Sequence, residues 1–506
     1  MSQVKEKQRS NSLADVEQLG LFASIASLGY VFWVCGAMEM VERLAYYGVK
    51  AVAALYAKAP ASAGGLGITM SDFGTILMVW ALTQSIVPVA TGGLADRYGY
   101  KRTIFASTCV KIMGYLTMAW FPTYWGFFAG AILLATGTAI FKPGIQGTLV
   151  KATNRQNSSM AWGIFYQTVN IGGFLGPLTA GLMRKLAWAN VFYACAVIIC
   201  LNFLLLLTYT EPASGAEKKA GEPQERSLIA ESLTELKKPH VWTYLAIFSG
   251  FWFMFNALFD VLPVHIDDWV NTRDIVNTLF GHGGTSNPIT QFFIVMNKDG
   301  TEILPEGMLN LNAGLIMITC FLFAYFSSKM RATTSMVIGT LMASLAMFVT
   351  GCTAMGWLSL MAIAIFSVGE MLSSPKFSEF IGNFAPDDKK AMYLGFSQIP
   401  LAIGWTLEGK IGPWLYQQYA SKEQFAREML ADKGMSLDAI ANIPQGEAFQ
   451  KLVEFTGMTP QALTELLYNT HNVGVVWYIM GVIGILSAVG IFLYGKWILT
   501  LNTDEE

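Results

Sequence analysis

Hydrophobic residues along this chain are gathered into twelve long segments separated by shorter polar stretches. Each segment reaches the length of about 20 residues that an α-helix needs to cross a bilayer. The segments are 22–57, 73–94, 103–122, 125–149, 161–184, 188–208, 241–264, 308–328, 333–353, 357–381, 391–414 and 473–499. The pattern therefore predicts an all-α membrane protein with twelve transmembrane helices.

A polar stretch rich in Lys, Glu, Ala, Gly and Pro lies between the sixth and seventh segments, from Glu211 to Lys238. It is too polar to contain another span, so it predicts a linker between two six-helix bundles. The predicted division is a cytoplasmic tail (1–20), an N-terminal bundle (21–208), a cytoplasmic linker (209–240), a C-terminal bundle (241–499) and a second cytoplasmic tail (500–506). Two long outer loops, 265–307 and 415–472, interrupt the C-terminal bundle.

Composition agrees with this prediction and excludes other classes. Hydrophobic residues make up 53% of the chain and charged residues 13%, whereas soluble domains carry about 25% charged residues. A formal net charge of −2 argues against a nucleic-acid partner. No nucleophile–base set, metal-ligand spacing or nucleotide-binding loop is found, so we expect neither an enzyme nor a bound cofactor or metal.

Lysine and arginine are concentrated in alternate loops, at 97–102, 151–155, 218–238, 329–331 and 389–390. By the positive-inside rule this bias places both termini in the cytoplasm, in a multi-pass protein of the plasma or inner membrane. Arg184 and Lys185 are an exception, because they fall in a loop on the opposite side.

The first span contains three ionisable residues within five positions, Glu39, Glu42 and Arg43. In a helix they lie on roughly one face. On a solvated face such a pair contributes only about 0.3–0.5 kcal/mol. Inside a span each charge costs about 2.5–3.5 kcal/mol on insertion scales. We therefore expect these three side chains to have ion-pair partners or to line a water-filled cavity, and to have a functional role.

Other polar residues also interrupt apolar segments. Lys142 precedes Pro143 in the fourth span and needs a counter-ion, for which Glu39 and Glu42 are candidates. Glu370 is an isolated acid in the tenth span, for which a functional role is the default expectation. Lys111, in the third span, is expected to snorkel or to form a structural pair.

Five motifs in order resemble one known family. They are Glu39-x-x-Glu42-Arg43 followed by Tyr46-Tyr47-Gly48; Gly92-x-x-x-Asp96-Arg97-x-Gly99-x-Lys101-Arg102; Lys142-Pro143; Phe165-Tyr166-x-x-Val169-Asn170-x-Gly172; and Gly369-Glu370 with Ser374-Pro375. Together they are similar to the proton-coupled oligopeptide transporters of the major facilitator superfamily. The resemblance implies the superfamily fold, with twelve helices in two bundles.

The resemblance also implies import of di- and tripeptides by proton symport with alternating access. It implies that Glu39, Glu42, Arg43 and Lys142 couple protons, with Lys142 paired to a first-helix acid. It implies substrate contacts from a set that shares cavity-facing positions: Arg43, Tyr46, Tyr47, Lys142, Tyr166, Asn170, Trp252, Asn312 and Glu370. The substrate carboxylate would meet Arg43 and Lys142, and its amine would meet Glu370. Asp96 and Arg97 match the superfamily's gating motif.

Two positions depart from the family pattern. Asn256 stands where the seventh helix usually has an acid, and Ser397 where the eleventh usually has a tryptophan. Asp260 lies one turn after Asn256, about 6 Å along the axis and on nearly the same face. The resemblance implies that a basic residue shortly after Tyr46-Tyr47-Gly48 pairs with the seventh-helix acid when the outer mouth closes, and Lys50 matches that basic position. We therefore predict that Lys50 and Asp260 form the outer gate pair. The alternative is that Asp260 only caps the outer end of its span.

Other functions stay open from the sequence. A related transporter could carry nitrate, an amino-acid derivative or a drug-like compound, or could have lost proton coupling. A peptide sensor that does not transport is a further alternative. The expected partners are a small peptide-like substrate, protons and the lipid bilayer, with the protein a monomer.

The two outer loops carry structural signals of their own. Residues 292–304 have the alternation and the turn, Asn297 to Gly300, that predict a β-hairpin. Residues 421–470 predict about three short amphipathic helices, with start signals at Ser421 and at Thr459-Pro460. A structural cap over the outer mouth is the first interpretation of this region.

Overall fold

A computed structural model describes residues 21–154, 157–211, 234, 236–384 and 396–503. Most of the predicted linker, residues 212–233 and 235, therefore falls outside the described residues. The helices, in chain order, are α1 Leu21–Ala26, α2 Tyr30–Lys50, α3 Ala53–Lys58, α4 Met70–Tyr98, α5 Tyr100–Trp120, α6 Tyr124–Lys151, α7 Ser158–Arg184, α8 Trp188–Leu207, α9 Pro239–Asp260, α10 Leu262–Trp269, α11 Arg273–Phe280, α12 Pro288–Ile294, α13 Pro305–Ser328, α14 Ala332–Cys352, α15 Gly356–Phe384, α16 Gln398–Tyr419, α17 Lys422–Asp432, α18 Leu437–Ala441, α19 Ala448–Thr456, α20 Pro460–Thr470 and α21 Val475–Thr503.

Twelve of these helices have 20 residues or more and overlap the twelve predicted spans: α2, α4 to α9, α13 to α16 and α21. The first predicted span, 22–57, is longer than α2 and is divided into α1, α2 and α3. Eight of them are long and apolar enough to cross a membrane on composition alone. The other four are α2, α5, α7 and α16. Three of these four carry buried charges in mid-helix, and the fourth, α7, ends on Arg184. Three of these four helices therefore place charged side chains in the interior of the protein.

The long helices pack as two groups of six. In the first half α2 packs on α7 and α8, and α5 packs on α6; in the second half α9 packs on α16 and α21, and α14 packs on α15. The third and fourth helices of each half approach through glycines. A Cβ on Gly114 of α5 would lie 3.0 Å from the Gly130 carbonyl oxygen, and one on Gly369 of α15 would lie 2.5 Å from that of Gly339. Small residues thus permit close helix contact in both halves.

The two ends of the molecule differ. We call the end where α8 stops and α9 starts the linker end, and the opposite end the distal end. The halves meet through α4 with α16, α7 with α13, and α3 with α10. Among the residues that the structure describes, every ion pair joining the halves lies at the distal end. The distal end is therefore closed.

The loops at the distal end partly correct the sequence predictions. The predicted hairpin at 292–304 is wrong in its first strand, because residues 288–294 form α12; one bridge, Met296 with Ile303, remains. Asn287 starts α12 by accepting hydrogen bonds from the N–H groups of Ile289 and Thr290. Residues 421–470 form four short helices instead of three, α17 to α20.

Both predicted start signals in the second loop are confirmed. The Ser421 hydroxyl accepts from the Gln424 N–H at 3.3 Å. The Thr459 hydroxyl accepts from the Ala462 N–H at 3.3 Å, with Pro460 in the first turn. The four helices bury Phe425, Leu430, Leu452, Leu463 and Leu467 and so form a packed layer over the distal end.

Candidate functional site

Glu39, Glu42 and Arg43 lie together in the middle of α2, and all three are buried. Nε of Arg43 lies 3.0 Å from Oε1 of Glu39 and 2.6 Å from Oε2 of Glu42. The guanidinium also covers the ring of Tyr46, at 5.4 Å from its centroid. Nη2 of Arg43 is buried with no hydrogen-bond partner among the described residues, so a donor is left for an incoming group.

The counter-ion of Glu42 comes from α5. Nζ of Lys111 lies 2.8 Å from Oε1 of Glu42, which also accepts from the Thr138 hydroxyl at 3.3 Å. Gly137 provides the space, because a Cβ there would lie 2.5 Å from Cγ of Lys111. The prediction that Lys111 forms a structural pair is confirmed as a contact.

Lys142 makes no direct ion pair with a first-helix acid in this conformation, although Glu39 and Glu42 lie within electrostatic reach of it. No carboxylate oxygen of the described residues lies within 4.0 Å of its ammonium group. The counter-ion position beside Glu42 is occupied by Lys111, which extends from α5. Lys142, on α6, remains half-buried. The cluster thus contains two acids (Glu39, Glu42) and three bases (Arg43, Lys111, Lys142), a formal sum of +1 that favours an anionic ligand.

Glycines in the α7 motif set the distance to this cluster. A Cβ on Gly172 would lie 2.7 Å from Cβ of Arg43, and one on Gly176 would lie 2.8 Å from the Gly48 nitrogen. The glycine of the Asn170-x-Gly172 motif therefore lets α7 approach α2. Asn170 donates to the Tyr166 carbonyl at 3.1 Å, which leaves its carbonyl oxygen for other partners. The Tyr166 side chain is 48% exposed.

The second half contributes an acid held by amide and hydroxyl groups. Nδ2 of Asn312, on α13, donates to Oε2 of Glu370 and to the Ser367 hydroxyl, each at 3.0 Å. Glu370 lies within electrostatic reach of Tyr47 and Tyr166 in the first half. The structure thus brings Glu370 to the same interior region as the α2 motif.

The remaining predicted contacts are placed less directly. The Tyr46 hydroxyl donates to Gln84 at 3.2 Å. The indole N–H of Trp252 is buried and has no partner among the described residues. Asn256 donates to the Trp252 carbonyl at 2.6 Å, within its own helix. Helix α4 extends through Asp96 and Arg97, but their side chains lie outside the described part of the chain.

Lys50 and Asp260 form a buried ion pair at the distal end. The Trp405 indole donates to Oδ2 of Asp260 at 3.1 Å. Nζ of Lys50 lies 5.4 Å from the ring centroid of Trp80 and 5.0 Å from that of Trp405. The predicted contact between Lys50 and Asp260 is therefore present, enclosed by aromatic rings that exclude water.

Two further sets of ions join the halves beside this pair. Nζ of Lys58 lies 2.6 Å from Asp267 and 2.5 Å from Asp268. Burial alone would lower the pKa of Lys58, but the two carboxylates outweigh it and raise that pKa above its ordinary value. Arg184 meets the fully buried Glu306 at 2.6 Å. This contact accounts for the arginine that departed from the positive-inside bias.

Sequence reasoning missed Glu408. It lies in the middle of α16 with no exposed surface, and it interacts with Asp260 and Lys50. An acid within an apolar helix is itself a signal of function, so the sequence contained the information needed. Gln167 was also missed; it donates to the Met317 carbonyl at 2.6 Å and so joins α7 to α13.

Comparison with known proteins places this chain in a family. A family model described as the Major Facilitator Superfamily matches residues 44–407. Among curated relatives, the uncharacterized transporter YclF of Bacillus subtilis is 29% identical over 38% of this chain and 39% of its own length. The peptide transporter YePEPT of Yersinia enterocolitica is 27% identical over 35% of each chain. The chain thus spans under two fifths of the length of these two relatives.

A longer but weaker match is the multidrug resistance protein MdtH of Yersinia enterocolitica, 21% identical over 68% of this chain and 77% of its own length. Solved structures share the fold throughout. The peptide transporter POT in complex with sulfate has a TM-score of 0.67 at 16% identity, covering 96% of this chain and 97% of that one. A POT family transporter in complex with 5-aminolevulinic acid has a TM-score of 0.68 at 15% identity, with coverage of 96% and 100%.

Proposed function

The chain belongs to the major facilitator superfamily, and on that premise we propose that it imports di- and tripeptides by proton symport with alternating access. It is a multi-pass membrane transporter and not an enzyme. The finer proposal is supported by the order of its motifs, by the fold it shares with solved peptide transporters, and by the charges in its interior.

The distribution of charge between the halves carries the substrate assignment. The first half presents Arg43, which has a free buried donor, and Lys142, which has no carboxylate oxygen within 4.0 Å among the described residues. The second half presents Glu370, held by Asn312. A zwitterionic peptide has a carboxylate for the first side and an amine for the second. Tyr47, Tyr166, Asn170 and Trp252 complete the proposed site with groups that suit a peptide backbone.

The contacts divide the two α2 acids between roles. Glu42 has two basic neighbours, Arg43 at 2.6 Å and Lys111 at 2.8 Å, and accepts from the Thr138 hydroxyl at 3.3 Å; these contacts stabilise its ionised form. Among the described residues, Glu39 has only the ion contact with Arg43, at 3.0 Å. We assign proton exchange to Glu39, while Glu42, Arg43 and Lys142 set the charge around it.

The closed distal end supports alternating access as the mechanism. The ion pair of Lys50 with Asp260 would hold this end shut, and its rupture would open the interior to the distal side. Asp96 and Arg97 would act at the linker end, as the superfamily motif implies. With both termini cytoplasmic, the distal side is the outside of the cell membrane.

Uptake of labelled peptides into proteoliposomes tests this function. A labelled dipeptide should accumulate only with an inward proton gradient, and a protonophore should abolish accumulation. The variant Glu39→Gln should still exchange peptide for peptide across the membrane but lose gradient-driven accumulation. Accumulation that ignores the gradient would overturn proton symport, and absence of peptide transport would overturn the substrate assignment.

One alternative has an observation in its favour. Ser397 replaces the large aromatic residue that the family motif has at this position, so the site offers room for a different small solute. The same liposomes should therefore be tested with nitrate and with 5-aminolevulinic acid, the ligand of one structural relative. Uptake of either one in place of dipeptides would favour that alternative.

The proposed topology has its own test. Single cysteines at Ala216, in the linker, and Ala426, in the second outer loop, in a background without the six native cysteines, should label from opposite sides of the membrane. Labelling from the same side would overturn the arrangement of six plus six helices.

A further inference from the structure

Glu408 occupies a closed niche in the middle of α16. Its side chain has no exposed surface, and neither carboxylate oxygen has a hydrogen-bond donor among the described residues. A Cβ on Gly412, one turn later, would overlap Oε1 of Glu408, so the glycine provides the space for the carboxyl group. An ionised carboxylate in such a niche would lack both water and a hydrogen-bond donor, which costs several kcal/mol.

The charged groups that interact with Glu408 are Asp260 and Lys50. Asp260 already holds Lys50 through one oxygen and the Trp405 indole through the other. The single positive charge of Lys50 is therefore matched by Asp260. An ionised Glu408 would place two anions beside one cation, and neighbouring carboxylates in a dry site do not both ionise.

Other titratable groups on the helices around α16 are engaged elsewhere. Asp72, on α4, accepts from the Thr69 hydroxyl, and Tyr478, on α21, donates to the Gly351 carbonyl. Lys410, on α16 itself, bonds to Thr75. Tyr46, on α2, interacts with Asp260 but donates its hydroxyl to Gln84. Among the described residues, none of these groups supplies a second positive charge to the niche.

We propose that Glu408 is a proton-binding site of the distal gate. Its carboxyl group must be protonated before Lys50 and Asp260 can form the closed ion pair, and the protonated group donates a hydrogen bond to Asp260. When the distal end opens, water reaches the niche and Glu408 releases its proton. When the end closes, Glu408 takes the proton up again, so closure consumes one proton from the distal water. The chain thus places a carboxyl group at the gate, on α16, where Asn256 on α9 carries none.

This inference rests on the alternating access of the proposed function, but its test needs no substrate. Spin labels on the exposed residues Ala63 and Leu279, in a background without native cysteines, report the distance between the two halves at the distal end. At about pH 6 the short distance of the closed gate should dominate. Raising the pH to about 9 should increase the population with the long distance, by up to about tenfold per pH unit, the limit for one linked proton.

Glu408→Gln removes the titration while keeping a neutral donor of similar size. In this variant the closed population should be the same at both pH values. Glu465→Gln, an exposed acid in the distal layer, is the matched control and should follow the unsubstituted protein. If Glu408→Gln does not fold, Glu408→Met serves as the second neutral variant and should also be insensitive to pH.

Two results would overturn the proposal: a neutral Glu408 variant that keeps the full pH response, or an unsubstituted protein whose distal distance ignores pH. Failure of peptide uptake with an intact pH response would overturn the substrate assignment alone. The two proposals can therefore fail separately.

Discussion

Nζ of Lys111 lies 2.8 Å from Oε1 of Glu42, and both side chains are fully buried. Removing Lys111 would leave two buried acids, Glu39 and Glu42, sharing Arg43 as their only ion contact among the described residues, an excess of buried negative charge. Lys111→Met should therefore lower the free energy of unfolding by about 3–5 kcal/mol. Thermal unfolding in detergent measures the loss, and the double variant Lys111→Met with Glu42→Gln should recover much of it.

Lys142 is the matched comparison, because it has no carboxylate within 4.0 Å among the described residues. Lys142→Met should change the unfolding temperature little and should weaken binding of peptides with a free carboxylate. Equal destabilisation by Lys111→Met and Lys142→Met would contradict the assignment of the counter-ion.

Exchanging the charges of the distal pair tests the gate. Lys50→Asp and Asp260→Lys each place like charges together in a buried site, so each should reduce peptide uptake at least tenfold, the effect of about 1.4 kcal/mol. The double exchange restores one positive and one negative charge and should recover part of the uptake. A double variant no better than the worse single variant would contradict a direct pair.

Glu370 is predicted to select the amino end of the substrate. Glu370→Gln removes a charge while keeping a group of the same shape beside Asn312. Binding of a dipeptide with a free amine should weaken by about 1.5–3 kcal/mol, the contribution of a hydrogen bond to a charged group, whereas an N-acetylated dipeptide should bind equally to both forms. Equilibrium binding in detergent measures both ligands, and equal losses for the two would contradict this role.

Two glycines on α7 provide a test of helix approach. A Cβ on Gly172 would lie 2.7 Å from Cβ of Arg43, whereas a Cβ on Gly163 meets nothing within 4 Å. Gly163→Ala should raise the free energy of unfolding by up to about 1 kcal/mol through helix propensity. Gly172→Ala should lower it by about 1–3 kcal/mol through overpacking, and should also reduce uptake because Arg43 moves. Thermal unfolding of both variants gives the comparison, and the same sign for both would contradict it.

The fold was accessible from the sequence because a bilayer allows few solutions. Unbroken apolar segments can only be helices there, so the twelve spans follow from hydropathy. The contact between Lys50 and Asp260 was accessible for two reasons: the family resemblance implies a pair between the first and seventh helices, and one helical turn from Asn256 to Asp260 restores the same face. Periodicity alone would give the position of the acid but not its partner.

The partner of Glu42 depends on the packing of different helices, and periodicity does not settle it. Lys111 and Lys142 are both basic residues in neighbouring spans, and only the space at Gly137 shows which one reaches the acid. The first strand of the predicted hairpin is wrong for a local reason. Asn287 and Pro288 start a helix at this point, and the alternation of apolar and polar residues that follows does not reveal that start.

The four distal ion contacts have the same polarity across the two halves. Lys50, Lys58 and Arg184 all belong to the first half, and the acids that they meet all belong to the second. If the halves part as proposed, the mouth would have a basic wall facing an acidic wall, the same polarity as Arg43 and Glu370 further in. A zwitterionic substrate entering between these walls would be turned with its carboxylate toward the first half. Its orientation would thus be selected during entry, before it reaches the proposed interior site.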